Sequence, residues 1–195
     1  MNRYSDIRTV SAALAALLVM MLVPSSKASA QRTMEGQNFI GADAIPAFTD
    51  ARDFGARISW GMYGTDHRLE AWAAAVPGHR MITQDTELLY GQITAGCDWQ
   101  WRLLSTRSRS FSLYAGGGAL LGWETYDPFR KLPPHVETDL PGKGTFLYGC
   151  TASLEAEIFL LRRLALVLRT DADVIPPSRT GILRLTAGMG LRVEL

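Results

Sequence analysis

The closing segment of the chain is strictly two-periodic. Leu183, Leu185, Ala187, Met189, Leu191, Val193 and Leu195 are apolar, and Arg184, Thr186, Gly188, Gly190, Arg192 and Glu194 alternate with them. Successive strand side chains point to opposite faces, so this segment as a strand has one unbroken apolar stripe and one charged face. As a helix it would scatter both sets around the axis. This alternation, met repeatedly along one chain, limits the fold to strands that pair into a sheet.

It recurs upstream. Phe146, Tyr148, Cys150, Ala152, Leu154, Ala156 and Ile158 oppose Gly149, Thr151, Ser153, Glu155 and Glu157. Phe111, Leu113, Ala115, Gly117, Ala119, Leu121 and Trp123 oppose a polar and glycine face, with Leu120 as the exception. Leu89 to Trp99, Leu164 to Ala172 and Ala56 to Met62 repeat the pattern, although Ala165 and Val167 blur the polar face of the second. Asn38–Ala44 and Arg68–Val76 are weaker candidates, and the alanine-rich second reads equally well as a short helix. Eight strands result, and no proline interrupts the six clear ones. Several reach the ~9–11 residues that cross a bilayer at a tilt, with aromatics near the stripe ends. The expected fold is therefore all-β: an eight-stranded antiparallel up-and-down β-barrel of outer-membrane type. A soluble lipocalin-like barrel shows the same alternation with its faces exchanged, so it stays open.

The N-terminus supports export. Arg3 and Arg8 precede the apolar run Val10–Val23, and Ala28-Ser29-Ala30 follows. That is a secretory signal peptide, with cleavage between Ala30 and Gln31. The division is a signal peptide over 1–30 and one barrel domain over 31–195. Export points to the outer membrane, with the periplasm as the alternative. From a periplasmic N-terminus, the connections near 45–54, 77–86, 125–144 and 174–181 face outward, and those near 63–67, 100–109 and 159–163 face the periplasm.

Charge adds little. Lys+Arg 20 against Asp+Glu 19 gives a formal net charge of +1, so no direct nucleic-acid binding is expected. Mean hydropathy is +0.03, because the apolar residues are spread along strand faces that an average hides.

Candidate chemistry is sparse. His67, His79 and His135 fall in expected connections without the spacing of a metal pair, so no metal or cofactor is expected. Gly116-Gly117-Gly118 lacks the Lys-Ser or Lys-Thr of a phosphate loop and suits curvature and close packing in a narrow barrel. Glu155 and Glu157 share a face like a general acid/base pair. The stronger reading is a lumen charge network of Arg57, Glu155, Glu157, Arg169, Arg184 and Arg192, which also neutralises Glu70, Asp98, Asp171 and Glu194. No catalytic residue is assigned. Cys97 and Cys150 lie on the apolar stripes of non-neighbouring strands and are expected to be free, lipid-facing thiols.

Three stretches carry a family resemblance: Gly116–Pro133 with Trp123-Glu124-Thr125 and Lys131-Leu132-Pro133, Thr145–Leu161 with Phe146-Leu147-Tyr148-Gly149 and Leu154-Glu155-Ala156-Glu157, and Arg163–Asp171. With the Gln31-Arg32 start, the chain resembles the TraO family of conjugative-transposon transfer proteins of Bacteroidetes. The resemblance implies a non-enzymatic outer-membrane part of a conjugal, type IV secretion-like DNA transfer apparatus. Its partners would be other transfer-apparatus proteins and outer-membrane lipid. The connection holding Tyr126, Phe129, Arg130 and Lys131 and the turn with Arg102, Arg107 and Arg109 are the candidate contact surfaces. A generic structural or adhesion barrel and a lipid A-modifying enzyme are the other classes.

Overall fold

Eight antiparallel strands close on themselves in chain order, β1 pairing with both β2 and β8. The computed structural model describes residues 35–46, 54–83, 86–106, 110–126, 144–178 and 182–195. The strands are β1 Asn38–Pro46, β2 Phe54–Tyr63, β3 His67–Thr83, β4 Thr86–Ser105, β5 Phe111–Tyr126, β6 Thr145–Phe159, β7 Leu164–Val174 and β8 Leu183–Glu194. The segment 1–30 with its Ala30–Gln31 junction lies outside the described residues, as do Arg107, Arg109, Phe129, Arg130, Lys131 and His135.

Register fixes the tilt. From Ile40, the pairs run through Trp60, Ala71, Cys97, Ala119, Cys150 and Val174 to Leu183, yet Ile40 itself pairs with Val193. The offset along β8 between Leu183 and Val193 is the shear of the barrel, and a closed sheet with such a stagger has strongly tilted strands. Stepping from β1 toward β8 along the hydrogen bonds therefore climbs away from the rim that carries Asn38 and Glu194, here the terminal rim.

The Arg68–Val76 segment, read as a strand with a short helix as the alternative, is strand, within an element of 17 residues. Two expectations need correction. The connection expected at 77–86 is mostly ladder, with Pro77 opposite Gly91 and a register shift between Met81 and Thr83, so β3 and β4 form one long hairpin. Proline tolerance here follows from position, because β2 stops pairing with β3 at Ala75 and leaves an edge beyond it. The connection expected at 100–109 likewise starts later, since β4 runs to Ser105 with a register shift between Arg102 and Leu104.

The polarity of the wall is inverted relative to a soluble barrel. Arg68, Glu70, Asp98, Gln100, Glu155 and Glu157 are buried, whereas Ile58, Ile93, Leu121, Leu185 and Met189 are exposed. The alternating stripes thus face outward and the charges inward. This arrangement excludes the lipocalin-like reading, in which the interior takes the apolar side chains. Exposed aromatics gather in two belts: Trp99 and Trp101 toward the terminal rim, and Trp123, Phe146 and Tyr148 toward the far rim. Between Ala115, which pairs with Trp101, and Trp123, β5 runs about 26 Å, or about 20 Å of height at the usual tilt, close to the apolar band of membrane barrels.

Candidate functional site: the filled lumen and its rims

The lumen is layered. Nearest the terminal rim, Phe39, Tyr63 and Tyr114 form a buried aromatic cluster. Phe39 sits directly across from Gly61, whose missing side chain leaves the space that the ring occupies. Its centroid is 4.8 Å from that of Tyr63.

Above this cluster lies a belt of charge. Arg68 reaches Glu155 at 2.5 Å, and Arg192 reaches Glu155 at 2.7 Å and Glu157 at 3.1 Å. Arg169 bridges Asp171 at 2.6 Å, Glu70 at 3.2 Å and Asp98. Arg57 adds Asp171 at 3.2 Å and Asp98 at 3.5 Å. Tyr63 Oη donates to Glu157 Oε1 at 2.5 Å. Arg68 Nε donates to Gln100 Oε1 at 2.8 Å, and Gln100 Nε2 passes the chain on to Ser153 Oγ at 3.1 Å. Planar guanidinia suit such a site because each makes several directed bonds and also stacks. Arg68 lies 4.1 Å over the Tyr114 ring, Arg192 4.2 Å over Phe39 and Arg57 4.1 Å over Trp72. Gly118, directly across from Asp98, makes room for that carboxylate: a Cβ there would stand 2.6 Å from Asp98 Oδ1.

Beyond the belt, Ile45, Trp72, Ala74, Leu120, Leu147 and Ile175 form an apolar plug toward the far rim. Among the described residues, the three layers fill the bore with side chains at low exposure, as expected of an eight-stranded barrel.

Of the residues expected in a lumen network, Arg57, Glu155, Glu157, Arg169 and Arg192 come together in the belt. Arg184 stands apart: it is half-buried, donates to Gln92, and faces Asp173 across the β7–β8 ladder. Arg68 was missed, although it is wholly buried and contacts Glu70, Glu155 and Glu157. Its signal was parity with Glu70 in a segment whose strand character was undecided. Inside the described lumen, buried Asp43, Glu70, Asp98, Glu124, Glu155, Glu157, Asp171, Asp173 and Glu194 outnumber buried Arg57, Arg68, Arg169 and Arg192.

The other candidates are placed as follows. Arg102 belongs to β4 and clamps the β2–β3 turn, with Nη2 2.5 Å from Asp66 Oδ1 and bonded to the Thr65 carbonyl. Tyr126 is the last residue of β5. His67 stacks on Trp99 at 4.6 Å. Cys97 and Cys150 are free and exposed on either side of Ala119, two strand spacings or about 10 Å apart, too far for a disulfide.

A family model described as "Conjugative transposon protein TraO" matches residues 31–195. The chain belongs to the TraO family. No curated protein matches the sequence. Among solved structures, the TraO-family chain is similar to the N-terminal β-barrel domain of Pseudomonas aeruginosa OprF, at 12% identity and a TM-score of 0.56 over 83% of this chain and 98% of that one. It is also similar to the outer membrane protein OprG of Pseudomonas aeruginosa, at 13% identity and TM-score 0.54 over 83% and 96%. A third is Ail, the attachment invasion locus protein of Yersinia pestis, in complex with the heparin analogue sucrose octasulfate, at 10% identity and TM-score 0.53 over 83% and 100%. At these identities the likeness is one of fold, and the fold is that of an outer-membrane barrel.

Proposed function

We propose that this TraO-family barrel is a non-enzymatic outer-membrane component of a conjugal, type IV secretion-like transfer apparatus, anchoring or stabilising the outer part of the machine. The chain is exported through a signal peptide cleaved between Ala30 and Gln31. The barrel crosses the membrane with its aromatic belts at the two interfaces. The observation that carries this reading is the inverted polarity of a TraO-family barrel: an apolar outer wall that needs lipid, around a lumen already occupied by its own side chains. Such a molecule has an anchor to offer and no conduit, so its contribution to transfer is through contacts at the rims with other transfer proteins. It makes no direct contact with the transferred DNA.

The contact surface is the connection after β5, with Tyr126, Phe129, Arg130 and Lys131, an aromatic and basic mix suited to protein recognition. The terminal-rim turn is a weaker contact candidate because Arg102 is already engaged with Asp66. Membrane fractionation followed by a heat-modifiability gel tests insertion: the expected result is outer-membrane recovery and a folded band that shifts on boiling. Deleting residues 127–143 tests the contact. Loss of transfer frequency and of co-purifying transfer proteins, with the folded band intact, is the expected outcome; normal values of both would refute it.

A further inference from the structure

On its outer wall the barrel carries a groove of about 500 Å³ at the terminal rim, lined by Leu161, Arg162, Arg163, Leu164 and Val193. Two features fix its shape. The β6–β7 turn is tight, with the Leu160 and Leu161 amides both donating to the Leu164 carbonyl at 2.9 and 3.1 Å. The Arg163 carbonyl then accepts from the Glu194 amide at 2.8 Å, which pins the arginine pair beside the end of β8. Arg162 and Arg163 are exposed, and so are Leu161 and Val193. Adjacent cations above an apolar floor are an amphipathic site whose charge favours an anion and whose walls favour hydrocarbon.

A second depression lies on the same strand. It is about 450 Å³ and is lined by the outward residues Ala152, Leu154, Thr170, Ala172 and Leu185, with the inward-facing Ser153, Asp171 and Thr186 completing its lining. Along β7, Leu164 to Thr170 is about 20 Å, or about 15 Å of height at the usual tilt. That is half of the ~30 Å hydrocarbon core, so a headgroup at the arginines puts the end of its acyl chain at the depression. A free phosphate uses the first feature alone, and a neutral lipid the second alone.

We propose that Arg162 and Arg163 hold the phosphate of an anionic glycerophospholipid, one acyl chain of which follows β7 into the depression at Thr170 and Ala172. The inference rests on the barrel being inserted in a membrane. The bound lipid is an annular ligand that sets the height and rotation of the barrel in the bilayer.

The test uses the full mature chain refolded in detergent and titrated, under native mass spectrometry, with dipalmitoyl phosphatidylglycerol, dipalmitoyl phosphatidylcholine and glycerol 3-phosphate. Phosphatidylglycerol is expected to remain bound where the other two are lost. The R162Q/R163Q variant is expected to weaken it about thirtyfold, as two interfacial arginines imply, with the heat-modifiable band unchanged. Ala172→Phe, which fills the depression, is expected to abolish the preference for hexadecanoyl over octanoyl chains. Equal binding by R162Q/R163Q, equal binding of phosphatidylcholine, or competition by glycerol 3-phosphate at matching concentration each overturns the proposal. Failure of the wild-type chain to insert into phosphatidylglycerol vesicles overturns the membrane reading as well, whereas an inserted barrel without lipid preference overturns this inference alone.

Discussion

The charged belt and the apolar plug do the same mechanical work by opposite chemistry. Both fill the bore: the belt with Arg57, Arg68, Arg169 and Arg192 among carboxylates, and the plug with Trp72, Leu120, Leu147 and their neighbours. The plug is stabilised by removal of apolar surface from water, a non-directional term that tolerates exchange of similar shapes. The belt gains only while each desolvated charge keeps its partners, so it tolerates very little. The difference teaches that the belt fixes the register of the lumen while the plug closes it.

The largest expected effect comes from breaking the belt. Arg192→Met removes one guanidinium shared by Glu70, Glu155 and Glu157, and breaking buried pairs by taking away one partner costs about 3–5 kcal/mol. Urea unfolding followed by the heat-modifiable band should show that loss, with little dependence on salt, since buried pairs are weakly screened. An unfolding midpoint within error of wild type would mean that the belt is not held by these pairs.

Breaking the plug should cost somewhat less. Leu147→Ala leaves a cavity beneath Leu120 and Ile175, and core truncations of this kind cost about 3 kcal/mol. Leu147→Met should restore most of the loss, as volume-conserving exchanges do. No conservative exchange of Arg192 should rescue the belt in the same way. If Arg192→Lys were as well tolerated as Leu147→Met, the distinction between the two layers would fall.

The next contrast sets the same residue type on the two sides of the wall. Arginine belongs at position 57, where carboxylates surround it, and Ile58 is its outward neighbour, 65% exposed between the aromatic belts. Ile58→Arg should cost about 2–3 kcal/mol in a bilayer and much less in detergent solution, where the charge reaches water. Equal stability in vesicles would argue that this face does not meet lipid.

The two layers also differ in how far the sequence disclosed them. Charges on one parity of β6, β7 and β8 announced the belt, because a charged residue inside an alternating strand has only one side to go to. Arg68 escaped for a local reason: the alanines at 71 and 73–75 leave β3 without a marked period. The plug was hidden for a deeper one. Leu120, the exception in an otherwise regular strand, is buried and points inward as part of the plug; Ala165 and Val167, which blur the polar face of β7, are likewise buried and inward although they lie outside the plug. Alternation records which residues meet lipid. It cannot tell an apolar lumen from a mistake, because that depends on what the facing strands supply. Strand ends were equally obscure in β3 and β4, where pairing continues past Pro77 and past Arg102 through register shifts that only the partner strand defines.

The smallest expected effect lies where the belt meets the aromatic cluster. Tyr63 belongs to both, with its ring against Phe39 and its hydroxyl on Glu157. Tyr63→Phe keeps the ring and deletes the bond, so it separates the two chemistries within one side chain. A hydrogen bond to a charged group is worth about 1.5–3 kcal/mol, but Glu157 keeps Arg192 at 3.1 Å and Arg68 at 3.8 Å, so the lower end, about 1.5 kcal/mol, is expected. Placed in the Arg192→Met background, the same substitution should cost more, because Tyr63 is then among the few donors left to Glu157. A double-mutant cycle on the urea midpoints measures that coupling. Strict additivity would mean that the hydroxyl serves the aromatic cluster alone, and the boundary between the two layers would then lie above Tyr63 instead of running through it.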